Sequence, residues 1–188
     1  MILEGLITTT DADGRMHLAP MGPTVDGPDF RTFLLRPFPT SATYQNLVRL
    51  GEGVLHITDD VLLLAKAAMG EAGTPASRPA ERVNGFILAD CCRAFEFRIY
   101  ETDTTCERVH LTAEVVHTHR VREFFGFNRA KHAVLEAAIL ATRFHLLPEE
   151  EIDREFKRLR VIVDKTAGAR EREAMAFLEA TRAARARS

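Results

Sequence analysis

The sequence predicts an α+β protein in which a β-rich first 120 or so residues fold as a small barrel and a three-helix segment follows. Three observations carry this. Apolar and polar residues alternate along Phe95–Ile99 and again along Val109–Val115, the pattern of half-buried strands. Asp11–Gly14 and Pro20–Pro23 supply turn and breaker chemistry between extended runs near the start. After about residue 127 the apolar spacing becomes helical throughout, and no internal repeat of solenoid length is present.

In chain order, residues 2–9 are β-branched and apolar and form a first strand; Asp11–Gly14 turns the chain, and Met16–Val25 returns as an edge-like second strand. Pro20 and Pro23 cannot donate ladder bonds, so the stretch 20–23 is expected to leave regular pairing and free its backbone groups for a ligand. A third strand spans Phe30–Arg36, and after Pro37-Phe38-Pro39 a helix covers 42–50. Val54–Ile57 reads as a short buried strand. Thr58, Asp59 and Asp60 read as the cap of a helix over 61–69, and Gly70–Gly85 as a loop or flap. Arg93–Tyr100 and Val109–Val115 make a long hairpin around a turn at Glu101–Cys106. Ala130, Val134, Ala137 and Ala141 mark one helical stripe and Leu135, Ile139 and Leu146 a second, so this helix lies between two packed surfaces. Pro148 and three glutamates restart a helix with the core stripe Ile152, Phe156, Leu159 and Val163; Gly168 precedes a last helix carrying Ala174, Phe177, Leu178 and Thr181.

Composition narrows the function classes. Hydrophobic residues make up 46% and charged residues 28%, which fits a folded chain, and apolar runs such as Val61–Ala65 fall far short of the roughly 20 residues a membrane helix needs. No membrane partner is expected. Residues 1–119 carry 10 bases and 16 acids, and residues 120–188 carry 15 and 11. The positive C-terminal part alternates its bases with acids and lacks interleaved aromatics, so a solvated helical face is expected rather than nucleic-acid binding. Three cysteines without CxxC spacing imply neither a disulfide framework nor a structural zinc, and the N-terminus has no secretory pattern; a cytoplasmic location is expected. There is no GxGxxG, P-loop, GxSxG or HExxH motif.

The most informative segment runs from Arg36 through Pro37-Phe38-Pro39 to Thr40, Ser41, Thr43 and Asn46. A helix start offers backbone N–H groups and partial positive charge; here hydroxyls and a guanidinium converge on one whose first turn holds no carboxylate. Two readings follow from the residues. Thr40 or Ser41 caps the helix while Arg36 pairs with a surface acid, or the group binds a phosphate monoester.

This segment resembles the phosphate-binding signature of flavin-reductase-like split barrels that hold FMN. Ile2–Thr9, Ala19–Pro23, Thr58–Val61 and Gly126–Ala133 extend the resemblance over nearly the whole chain, to an uncharacterised family within that superfamily. The resemblance implies an FMN-binding split barrel over 1–125 and a C-terminal helical extension over 126–188 packed on it. It implies a homodimer and oxidoreductase-like chemistry with a small-molecule electron donor or acceptor. Carried onto this sequence, Thr40, Ser41 and Thr43 hold the phosphate, Arg36 adds charge, Asn46 braces the loop or reaches a phosphate oxygen, and the backbone of Met21 and Gly22 lies near the isoalloxazine or ribityl chain. A flavin carrier or sensor without turnover, the same barrel with a deazaflavin or heme, and a protein-binding module on the basic helices are the alternatives.

Other residues admit two readings each. His117 and His119 share a strand face and could be a metal pair or heme ligands, but no third ligand follows at suitable spacing, so no metal is expected. His56 either faces a flavin or is a hydrogen-bonded barrel histidine. Asn128, Arg129, Lys131 and His132 either close over a ligand or simply cap and solvate a helix. Cys91 and Cys92 are expected to be buried and unreactive.

Overall fold

The computed structural model describes residues 1–27, 29–106 and 108–185. These divide into two compact units, one of residues 1–58 and 74–124 and one of residues 59–73 and 125–188.

The first unit is built on a six-stranded antiparallel sheet. Its strands are β1 (Gly5–Thr10), β2 (Met16–Met21), β3 (Thr32–Leu35), β4 (Glu52–Ile57), β7 (Arg93–Asp103) and β8 (His110–Arg120), in the order β2-β1-β4-β7-β8-β3. The two edge strands meet through one residue. Thr24 bridges Ile2 on one side and Leu34 on the other, and it exchanges 2.9 Å backbone bonds in both directions with Leu34. The sheet is thereby closed into a barrel at that end, which removes an exposed edge. Ile7, Phe33, Leu35, Leu55, Phe95, Phe97 and Leu111 fill the interior, with Leu47 arriving from α1 (Ala42–Leu50).

Several strand expectations are corrected. Residues 20–21 stay in regular pairing, with Pro20 opposite Leu6 and Met21 opposite Gly5. Because β2 is an edge strand, the missing proline N–H costs no ladder bond on its paired side. β3 begins at Thr32, since Phe30 holds a left-handed φ of 48°, which ends extended pairing, and stacks on Phe95 at 4.2 Å. β7 and β8 run to Asp103 and from His110, which moves the turn past Glu101; bulges interrupt the ladder between Glu96 and Phe97 and between Ile99 and Glu101.

The expected loop at 70–85 contains a strand. β5 (Ser77–Pro79) pairs with β6 (Phe86–Leu88) as a separate hairpin. Its backbone is held by barrel side chains: Thr8 Oγ1 donates to Phe86 O (2.6 Å), Thr10 Oγ1 to Asn84 O (3.1 Å), and Glu52 Oε1 accepts from Asn84 N (2.7 Å). Glu96, with no solvent exposure, accepts the N–H groups of Glu81, Arg82 and Val83 at 2.6–3.0 Å.

The second unit comprises α2 (Val61–Ala68), α3 (Arg129–Ala141), α4 (Glu149–Thr166) and α5 (Ala169–Arg185). The sequence expectation keeps residues 59–73 within the first domain; in the structure they belong to the helical unit, because α2 buries Val61, Leu62, Leu64, Ala65 and Ala67 while packing on α3 and α5. Only the first of the two expected α3 stripes is buried: Ala130, Val134, Ala137 and Ala141, joined by Ala133 and Ala138, pack on α2, α4 and α5, while Leu135 and Ile139 of the second stripe are half-buried. The helix stops at Ala141, leaving Leu146 exposed in the turn that follows. The α4 stripe Ile152, Phe156, Leu159 and Val163 is buried in full. Asp60 caps α2 by accepting from Leu62 N and Leu63 N and also binds Arg170. Asp59 does not cap; its Oδ2 accepts from Phe125 N at 3.0 Å. Asn128 caps α3, and Lys131 is engaged by Asp59 O (2.7 Å) and Glu171 (2.8 Å). No helix among the described residues is long and apolar enough to cross a membrane.

Candidate functional site

The turn from β3 into α1 is set by its prolines and by Ser41. Ser41 is the N-cap in extended conformation; its Oγ accepts from Tyr44 N (3.2 Å) and donates to Phe38 O (2.8 Å). Gln45 N is satisfied by Ser41 O, so the earlier amides of the first turn, those of Ala42 and Thr43, have no intrahelical acceptor. No acid lies in that turn. Gly51 closes the helix with a φ of 70°, its N–H on Leu47 O.

The expected site residues divide into two kinds. Thr40 is exposed and its hydroxyl has no hydrogen bond among the described residues, and Arg36 is half-buried with a single bond, Nη2 to Thr24 Oγ1 at 3.3 Å. Arg36 has no carboxylate partner among the described residues, which removes the surface-acid reading. Thr43 and Asn46 are buried and turn inward: Thr43 Oγ1 meets His17 Nε2 at 3.2 Å, and Asn46 Nδ2 donates to Thr9 Oγ1 at 3.0 Å. Asn46 therefore braces α1 against β1. Met21 packs against the barrel core, and at Gly22 a Cβ would lie 2.9 Å from Ile2 Cγ2, so a side chain there would displace Ile2.

Two participants carry no local sequence signal. Arg108, in the β7–β8 connection, holds its guanidinium 4.1 Å from the centre of the Phe38 ring, a second cation beside the loop. His17, from β2, meets α1 at Thr43; burial pushes its pKa down against the raising effect of Asp11, so it favours the neutral ring. Contacts between residues 17 and 43 and between 24 and 36 tie the start of β2 and the segment that follows it to this turn. The result is a concentration of unopposed donors and positive charge that can hold a dianion.

His56 is the hydrogen-bonded barrel histidine of the two readings: Leu88 N donates to Nε2 (3.2 Å) and Nδ1 faces Leu6 O (3.3 Å). Cys91 is buried, and burial pushes its thiol up to about 12, so it is unreactive as a thiolate.

Two family models, described as the N-terminal domain of a protein of unknown function and as protein of unknown function (DUF447), match residues 3–122 and 128–180. The chain belongs to the DUF447 family. No curated protein matches it. This DUF447 chain is similar over 96% of its length to an FMN-bound protein of the same family from Methanosarcina mazei, at 21% identity, 94% coverage of that chain and a TM-score of 0.80. It is similar over 62% of its length to 2-nitrobenzoate 2-nitroreductase from Pseudomonas fluorescens (17% identity, 64% of that chain, TM-score 0.54). The styrene monooxygenase flavin reductase of Pseudomonas putida matches over 63% (14% identity, 81% of that chain, TM-score 0.54). At these identities the likeness is one of fold: the DUF447 chain is a flavin-reductase-like split barrel followed by helices.

Proposed function

We propose that this protein binds FMN, with the cofactor phosphate seated on the turn between β3 and α1, and that it works as an oxidoreductase-like flavoprotein. The observation that carries the reading is the pairing of an unpartnered hydroxyl, Thr40, with a guanidinium free of any described carboxylate, Arg36, at an acid-free helix start. The FMN-bound relative that matches nearly end to end supports the same cofactor. Thr40 and the amides of Ala42 and Thr43 donate to the phosphate, Arg36 and Arg108 offset its charge, and Ser41, Thr43 and Asn46 fix the loop through their internal bonds. Bound FMN supplies hydride and electron transfer, which the chain's own side chains cannot. The backbone at Met21 and Gly22 lines the ring side of the cofactor in this reading.

The working form proposed is a homodimer, for which the exposed Ile2, Phe38, Val48 and Tyr100 of the barrel unit supply apolar surface. Light scattering should return twice the chain mass.

Titration with FMN, followed by quenching of flavin fluorescence, tests the cofactor. Saturation at one flavin per chain is expected, with Thr40→Ala or Arg36→Ala weakening it by about 10- to 100-fold, since a bond to a charged group is worth about 1.5–3 kcal/mol. Unchanged affinity in the Thr40→Ala, Arg36→Ala double variant rejects this anchor. Anaerobic bleaching of the loaded protein by NADH or NADPH separates an oxidoreductase from a carrier.

A further inference from the structure

On the outer face of the barrel unit, β8 presents His117 and His119 two residues apart, hence on one side of the strand. A bulge at this point of the β7–β8 ladder leaves His117 opposite Glu96 and His119 opposite Ala94. The third group comes from the hairpin that the sequence presents only as a flap. Glu81 lies with Oε2 3.6 Å from His117 Nε2 and Oε1 3.9 Å from His119 Nδ1. One donor atom from each of the three falls within 4.8 Å of the others. A tetrahedral ion with bonds of about 2.1 Å separates its ligands by about 3.4 Å, so these gaps need only small side-chain adjustments.

The tautomer is also set. Glu96 is fully buried and accepts the backbone N–H groups of Glu81, Arg82 and Val83. His119 Nε2 sits 2.6 Å from Glu96 Oε1 and so carries the proton, leaving the Nδ1 lone pair outward. A carboxylate behind an imidazole that faces a cation is the arrangement that orients metal-binding histidines. A cation already stands there. Arg78 places Nη2 3.2 Å from His119 Nδ1 and Nη1 3.4 Å from Glu81 Oε1, and its side chain is half-exposed.

We propose that Glu81, His117 and His119 form a divalent-metal site of the zinc class, with Glu96 fixing the His119 ring and Arg78 occupying the site when no metal is bound. Two imidazoles and one carboxylate suit borderline ions such as Zn2+ and Co2+ over Mg2+ or Ca2+. A water completes the tetrahedron.

The test uses the full chain, stripped with a chelator and titrated with Zn2+ by calorimetry and with Co2+ by its visible absorption. One equivalent of Zn2+ should bind, and Co2+ should give the strong absorption of a tetrahedral site. His117→Ala and Glu81→Gln, both in partly exposed positions, should each weaken Zn2+ by at least about tenfold, while Arg78→Ala should tighten it. Cys106→Ser should leave the affinity unchanged, which separates this site from the Asp103, Cys106 and His110 group. Equal affinity in the parent, His117→Ala and Glu81→Gln proteins overturns the proposal, as does loss of binding in Cys106→Ser alone.

Discussion

Thr40 and Asn46 stand six residues apart with opposite duties, and their variants should separate cleanly. Asn46→Ala leaves a buried Thr9 hydroxyl without its donor and should cost about 1–3 kcal/mol in urea unfolding, whereas Thr40→Ala touches nothing inside and should stay within about 0.5 kcal/mol. His56 supplies a pH dependence of definite sign. Burial lowers its pKa to about 4, against about 6.5 in the unfolded chain, so the unfolded state binds more protons between these values. Its share of stability is complete above pH 6.5 and is lost as pH falls toward 4, by about 3 kcal/mol across the window. Unfolding free energies at pH 5 and pH 7 should differ more in the parent than in His56→Gln. Arg36 and Thr40 stand four residues apart, so local spacing alone brings them forward, whereas Ser41 uses its hydroxyl on Phe38 O and Tyr44 N. His17 and Arg108 were not legible in this way, because each reaches the loop from a distant strand or turn and no local spacing announces it.

The hairpin β5–β6 depends on one side chain for much of its order. Glu96→Gln keeps the shape but replaces a charged acceptor of three N–H groups with a neutral amide that must turn one end toward donors; about 2–4 kcal/mol of local stability should go. Hydrogen exchange should show residues 77–88 opening while β1 and β4 stay protected, and equal protection in variant and parent would refute this. The same hairpin explains an incomplete sequence reading. Alternation identified β7 and β8, and helical stripes identified α4 almost residue for residue, because both are periodic over many residues. Ser77–Pro79 is three residues with a proline and no apolar alternation, and its strand character comes from pairing with Phe86–Leu88, while Thr8, Thr10, Glu52 and Glu96 hold residues 81–86 of the same hairpin.

For the whole chain, the division into units differs from the break between the two family models near residue 125. A protein ended at residue 125 retains α2 but loses α3 and α5, on which Val61, Leu62 and Leu64 are packed. Such a truncation should bind a hydrophobic dye and aggregate at concentrations where the full chain stays clear. Replacing Leu62 and Leu64 by glutamine in the truncated protein should restore solubility. A truncated chain that is monomeric and dye-silent without those changes would refute the assignment of α2 to the helical unit.

That discontinuity has a bearing on birth order at the ribosome. α2 leaves the exit tunnel about 60 residues ahead of the start of α3 and about 100 ahead of α5. At translation speeds of about 5–20 residues per second its greasy side waits several seconds for company. During that pause a nascent chain of this design is a customer for holding factors that recognise short aliphatic stretches, and codons that slow elongation between residues 70 and 128 would lengthen the exposure.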